Sequence, residues 1–153
     1  MCIKNALIAL LIFLPSFAFS QIKISDVGDG WKQEVDSAIH LIKRIDTANY
    51  RVLIENCKEV EFIIGNTSTT KPPNTIAINT GDLKLKSINN IACVLVHESY
   101  HLYLYNHRIF LTPNEEELVC YTREYYFLCK LSGIEDWLFT HVINQMTKLR
   151  QTM

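Results

Sequence analysis

Apolar residues at three- and four-residue steps open the readable part of the chain. Trp31, Val35, Ala38, Ile39, Ile42 and Ile45 predict an amphipathic helix over residues 31 to about 44. Asp46 fits the N-cap of a second helix, 47 to about 57. The period then changes. Residues 60–64 (Val-Glu-Phe-Ile-Ile) are rich in β-branched side chains and bounded by Gly65 and Asn66, which predicts a strand. Residues 75–79 predict a second one, with Ile76 and Ile78 on one face. Between them, residues 66–73 read as a turn-rich loop carrying Pro72 and Pro73, and residues 21–30 as a short leader with turn residues.

A segment that is apolar on nearly every side follows, with Ile91, Val94, Leu95, Val96, Leu102 and Leu104. Capped by Ser87 and running to about Tyr105, it predicts a buried central helix. Thr112, Pro113 and Glu115 form a capping box with proline at the first helical position. That helix is expected to reach about residue 131 and to end near Gly133. A last helix, 134 to about 149, carries Trp137, Leu138, Val142, Ile143 and Met146. The order predicts an α+β fold: a small domain with a short sheet packed against a central helix and further helices.

Composition changes this picture little. A chain of 153 residues supports one domain, and 48% hydrophobic residues with a net charge of −1 give no reason to expect nucleic acid or an anionic membrane as partner. The N-terminus is different. Lys4, the apolar run from Ala6 to Leu14 and the small residues Ala18 and Ser20 read as a signal peptide over residues 1–20. The domain then occupies residues 21–153, secreted or periplasmic, without a stable membrane span once the signal is cleaved. An uncleaved signal anchor is the less favoured alternative. Export leaves Cys57, Cys93, Cys120 and Cys129 in an oxidising compartment, either as disulfides or as small buried hydrophobes.

The candidate chemistry lies inside the central helix, at His97, Glu98 and His101. Residues four apart share a helix face, so the two imidazoles can meet one metal ion. Glu98 is rotated about 100° from His97 and flanks that ion. Two histidines and a glutamate on so apolar a helix need compensation, and a metal is the simplest. The pattern resembles the HExxH zinc metallopeptidases, the zincins.

Zinc held by two histidines needs at least one more protein ligand. His107 occupies the place of the third histidine of the metzincin pattern, but Leu104 stands where that pattern has glycine. On a continuous helix His107 is rotated about 240° from His101 and lies about 9 Å further along. The acidic run from Glu115 to Glu117 is the other source. Glu115 belongs to the capping box. Helical phase places Glu117 within about 40° of Tyr121 and Leu128, whereas Glu116 falls with Arg123 and Lys130 on the solvated face. Glu117 is therefore the expected third ligand. A Glu on a following helix is similar to the gluzincins, where it often opens a Glu-x-x-Ala-Asp-like segment. Here Cys120 takes the small-residue place and Tyr121 replaces the acid, so Glu124 is expected to support a ligating histidine instead.

The resemblance implies an exported zinc-dependent peptidase with Zn2+ at His97, His101 and Glu117, Glu98 as general base, and a peptide or protein as substrate. It also implies an edge strand that aligns the substrate, for which residues 75–79 are the candidate. Tyr121, Arg123, Tyr125 and His141 are the candidates for a donor to the developing oxyanion. Two other readings stand beside it: a catalytically weak zinc-binding module, and a metal-dependent hydrolase of non-peptide amides.

Overall fold

The computed structural model describes residues 22–25, 30–81 and 87–153. The signal peptide expected over residues 1–20 lies outside the described residues. The elements run β1 (Lys23–Ile24), α1 (Trp31–Ile45), α2 (Thr47–Asn56), β2 (Glu59–Ile63), β3 (Thr69–Lys71), β4 (Thr75–Asn79), α3 (Ile88–Asn106), α4 (Pro113–Leu128) and α5 (Asp136–Thr152). The α+β class is as expected, with a four-stranded mixed sheet and helices packed against it. No helix of the described residues is long and apolar enough to cross a membrane.

Several local expectations hold for the stated reasons. α1 buries Val35, Ala38 and Ile42 on one stripe. The Asp46 carboxylate accepts from the Asn49 backbone at 3.2 Å and so caps α2. Ser87 caps α3 by accepting from Asn90, and the Thr112–Glu115 capping box is complete at the head of α4.

The sheet differs from expectation in two places. Its order is β1-β2-β4-β3, with β1, β2 and β4 parallel and β3 antiparallel to β4. Residues 75–79 are therefore not the edge strand: β4 pairs with β2 on one side and β3 on the other. Its composition agrees, since Ile76, Ala77 and Ile78 are all fully buried. The edge is β3, inside the stretch read as a loop. Within the expected leader, Lys23 and Ile24 pair with Glu59 and Val60 to add the strand at the opposite edge.

α3 is the central helix. It is packed by α1, α2 and α4 and by the β3–β4 side of the sheet. Its buried residues span nearly every direction around the axis, including Ile91, Ala92, Leu95, Val96, Leu102 and Leu104. α4 returns along it after the turn at residues 107–112, and α5 packs on α4.

Candidate metal centre

His97 and His101 stand one turn apart on α3, with their Nε2 atoms 3.2 Å from each other. Each ring is held from behind by a carboxylate of α4. His97 Nδ1 lies 3.1 Å from Glu124 Oε2, and His101 Nδ1 lies 2.6 Å from Glu116 Oε1. The pairing of the later histidine with the earlier glutamate follows from the antiparallel course of the two helices. Carboxylates accept only, so each Nδ1 carries the shared hydrogen as donor. In neutral rings both Nε2 lone pairs then point at one spot.

Glu117 closes the third side of that spot. Its Oε2 is 3.4 Å from His97 Nε2 and its Oε1 is 3.5 Å from His101 Nε2. Ligands about 2.0–2.1 Å from a tetrahedral ion are about 3.3–3.4 Å from one another. The 3.2 Å between the nitrogens is near that edge length, and each nitrogen has a different Glu117 oxygen at 3.4 or 3.5 Å, so a small rotation of the carboxylate would present one oxygen to both. The donor set therefore fits a tetrahedral dication. Cys120, one turn further along α4, comes close to the same pair: Sγ and a ring nitrogen of each histidine lie within 4.8 Å of one another.

Charge points the same way. Glu98 and Glu124 are buried, at 7% and 5% exposure, beside the half-exposed Glu117. Burial would depress the His97 imidazole, but N–H donation to Glu117 and Glu124, with the nearby charges of Glu124 and Glu98, raises it to about 10. The carboxylates thus favour the protonated ring over the neutral one. Burial raises the Glu98 carboxyl against the lowering pull of His97 and His101. Burial likewise raises the Cys120 thiol, as do the surrounding glutamates.

The centre opens into a cleft of about 390 Å³. α3 contributes Val94, His97 and Glu98 to its wall, and α4 contributes Glu117, Tyr121 and Glu124. The opposite wall is Trp137, Leu138, His141 and Gln145 of α5, and the rim is residues 66–68, just before the edge strand β3. Tyr121 sets its ring edge against His97, with centroids 4.4 Å apart.

The expected residues thus sort clearly. His97, Glu98, His101 and Glu117 come together, and Glu124 supports His97 as expected. His107 sits exposed at the end of α3, its Nδ1 bonded to the Tyr103 carbonyl, away from the centre. Of the four oxyanion candidates, Tyr121 and His141 line the cleft. Arg123 instead lies over the Tyr100 ring, and Tyr125 packs against Phe139. Glu116 is a correction: it does not belong only to the solvated face, because its side chain reaches back to His101. Each ligating histidine requires a partner for its second nitrogen, and that requirement was the signal for a second acid. Cys120, read only as a small residue, is the other omission. Cys57, Cys93, Cys120 and Cys129 are all free thiols, the first three buried and the last exposed. Comparison with protein-family models, with characterised proteins and with solved structures yields no match.

Proposed function

We propose that the protein is an exported zinc-dependent peptidase of the gluzincin type, with His97, His101 and Glu117 as the zinc ligands and Glu98 as the general base. The observation that carries the proposal is the convergence of two Nε2 atoms and the Glu117 carboxylate within 3.2–3.5 Å, with both Nδ1 atoms held by acids. Bound zinc would supply Lewis acidity, polarising a carbonyl and lowering the pKa of water.

The protein's own residues supply the rest. Glu98 lies on the cleft wall beside His97 and takes the proton from the attacking water. Its burial raises its proton affinity, which suits it to pass that proton to the leaving amine. Tyr121 and His141 project into the same cleft, on the sides away from Glu98's helix, and are the donors available to the oxyanion. An extended peptide enters along residues 66–71, where β3 offers the open edge of the sheet beside the cleft.

Metal analysis of the purified protein, with a general proteolysis assay on wild type and Glu98→Gln, tests this. The variant should retain about one zinc per chain and lose turnover by roughly 10²-fold or more. Loss of zinc from that variant would make Glu98 a ligand and remove its assigned role. Zinc bound by wild type without turnover of unfolded proteins would instead favour a binding module.

A further inference from the structure

α4 presents two different donors to the same pair of histidines. Glu117 and Cys120 are three residues apart and so leave the helix on one face, about a turn from each other. They approach from different sides. The Glu117 side chain is 42% exposed and stands at the cleft, whereas Cys120 is fully buried beneath it. The other two buried cysteines behave as small core residues. Cys57 donates to the Glu59 carbonyl, and Cys93 shares the apolar cluster with Cys57 and Cys120. Cys120 alone joins His97 and His101 in a cluster of donor atoms within 4.8 Å among the described residues. Zinc–sulfur and zinc–nitrogen bonds of about 2.3 and 2.0–2.1 Å set a nitrogen–sulfur edge of about 3.5 Å. Sulfur and imidazole nitrogens lie within 4.8 Å of one another, a wider span than that edge, so binding draws them together.

We propose that Cys120 is a fourth protein ligand of the centre, so that in the resting protein His97, His101, Glu117 and Cys120 fill the coordination shell. The proposal rests on the zinc-centre reading and adds to it a closed state. Four protein donors are the mark of a structural site, and three with an open position that of a catalytic one. A peptidase with this centre is closed while the sulfur is bound and competent whenever Cys120 lets go and water takes its place, so wild type turns over through its open fraction. On closing, the Cys120 S–H bond breaks as the sulfur–metal bond forms, one water leaves the metal, and the proton passes to solvent. No oxidant or reductant is needed. A thiolate also biases the centre toward zinc, cobalt and softer ions, and away from magnesium, calcium and manganese.

Cobalt(II) reconstitution of the full chain tests the assignment, read by absorption. A thiolate ligand gives an intense near-ultraviolet sulfur-to-cobalt charge-transfer band, which nitrogen and oxygen ligands do not. Wild type should bind one cobalt and show the band. Cys120→Ala should still bind cobalt, more weakly, and lack the band; Cys120→Ser carries the same expectation should the alanine variant not fold. Cobalt bound to wild type without the band overturns the proposal but leaves the three-ligand centre standing. A band that persists in the Cys120 variants assigns it to another thiol and also overturns the proposal. Failure of wild type to bind cobalt, or equal binding by a His97→Ala/His101→Ala variant, overturns the zinc centre itself.

Discussion

At the scale of single residues, the two rows of carboxylates behind and beside the histidines have separable roles. Glu124 and Glu116 hold Nδ1 atoms and touch no point where a ligand would sit. Removing either should lower zinc affinity by about 10–100-fold, the usual cost of losing a support behind a ligating histidine. Glu117→Ala should cost well beyond that, and His107→Ala should leave affinity unchanged because its ring is occupied at the end of α3. Competition against a chelator at fixed pH ranks the four variants. A Glu116→Ala protein that binds as tightly as wild type would make the His101 contact incidental. Helical phase made His97, His101 and Glu117 legible as one group with Glu98 beside it, because the first three leave their helices toward one spot and Glu98 lines the cleft next to it. It misplaced Glu116, because a phase angle describes where a side chain leaves the backbone and ignores how far a flexible glutamate bends. It passed over Cys120 for a different reason: one thiol in an apolar run carries the same sequence signal whether or not imidazoles face it.

At the scale of elements, legibility followed the strength of the local signal. Caps were readable because the bond is made within three residues: Asp46 to Asn49, Ser87 to Asn90, Thr112 to Glu115. β1 and β3 were not, being two and three residues long and defined only by the strands they pair with. The same local character explains why β4 was read as an edge. Its alternating isoleucines are visible along the chain, but the neighbour that covers its second side is not. Asp46 shows a cap acquiring a second duty, since Lys130, just beyond α4, donates to its Oδ2 at 2.6 Å. The carboxylate is buried and the ammonium half-exposed, so the contact ties the α1–α2 corner to the end of α4. Asp46→Ala should therefore destabilise the fold by about 1–2 kcal/mol, the upper part of the range for a lost N-cap. Urea unfolding checks the loss, and the chelator titration should show zinc affinity unchanged, because Asp46 touches none of the proposed ligands. A matching fall in affinity would mean that the α4 register depends on this corner.

At the scale of the whole molecule, the proposed donors come from α3 and α4 alone, while the loop leading into β3 contributes the rim of the cleft. A metal there joins two helices already packed together, and its effect on stability is a linkage term added to an existing core. At free zinc about 1,000 times the dissociation constant, that term is about 4 kcal/mol. Chelation should accordingly lower Tm by roughly 10 °C or more, at about 2–8 °C per kcal/mol for domains between about 60 and 250 residues. The size of the shift should depend on pH, with a sign set by His97. In the metal-free protein its imidazole is raised to about 10, above its ordinary value of 6.5. That proton stabilises the metal-free fold fully below pH 6.5, and the contribution is lost as pH rises through about 10. Zinc must displace the same proton, and the Cys120 proton where the sulfur binds, so its affinity should grow by at least about tenfold per pH unit over this interval. The two statements describe one proton: the loaded protein gains on the metal-free protein as pH increases. Thermal unfolding at pH 6.5, 7.5 and 8.5, with fixed free zinc and with chelator, should show the gap in Tm widening at each step. A gap that stays constant or narrows would mean that no proton is held between His97, Glu117 and Glu124, and that the metal does not compete for that place.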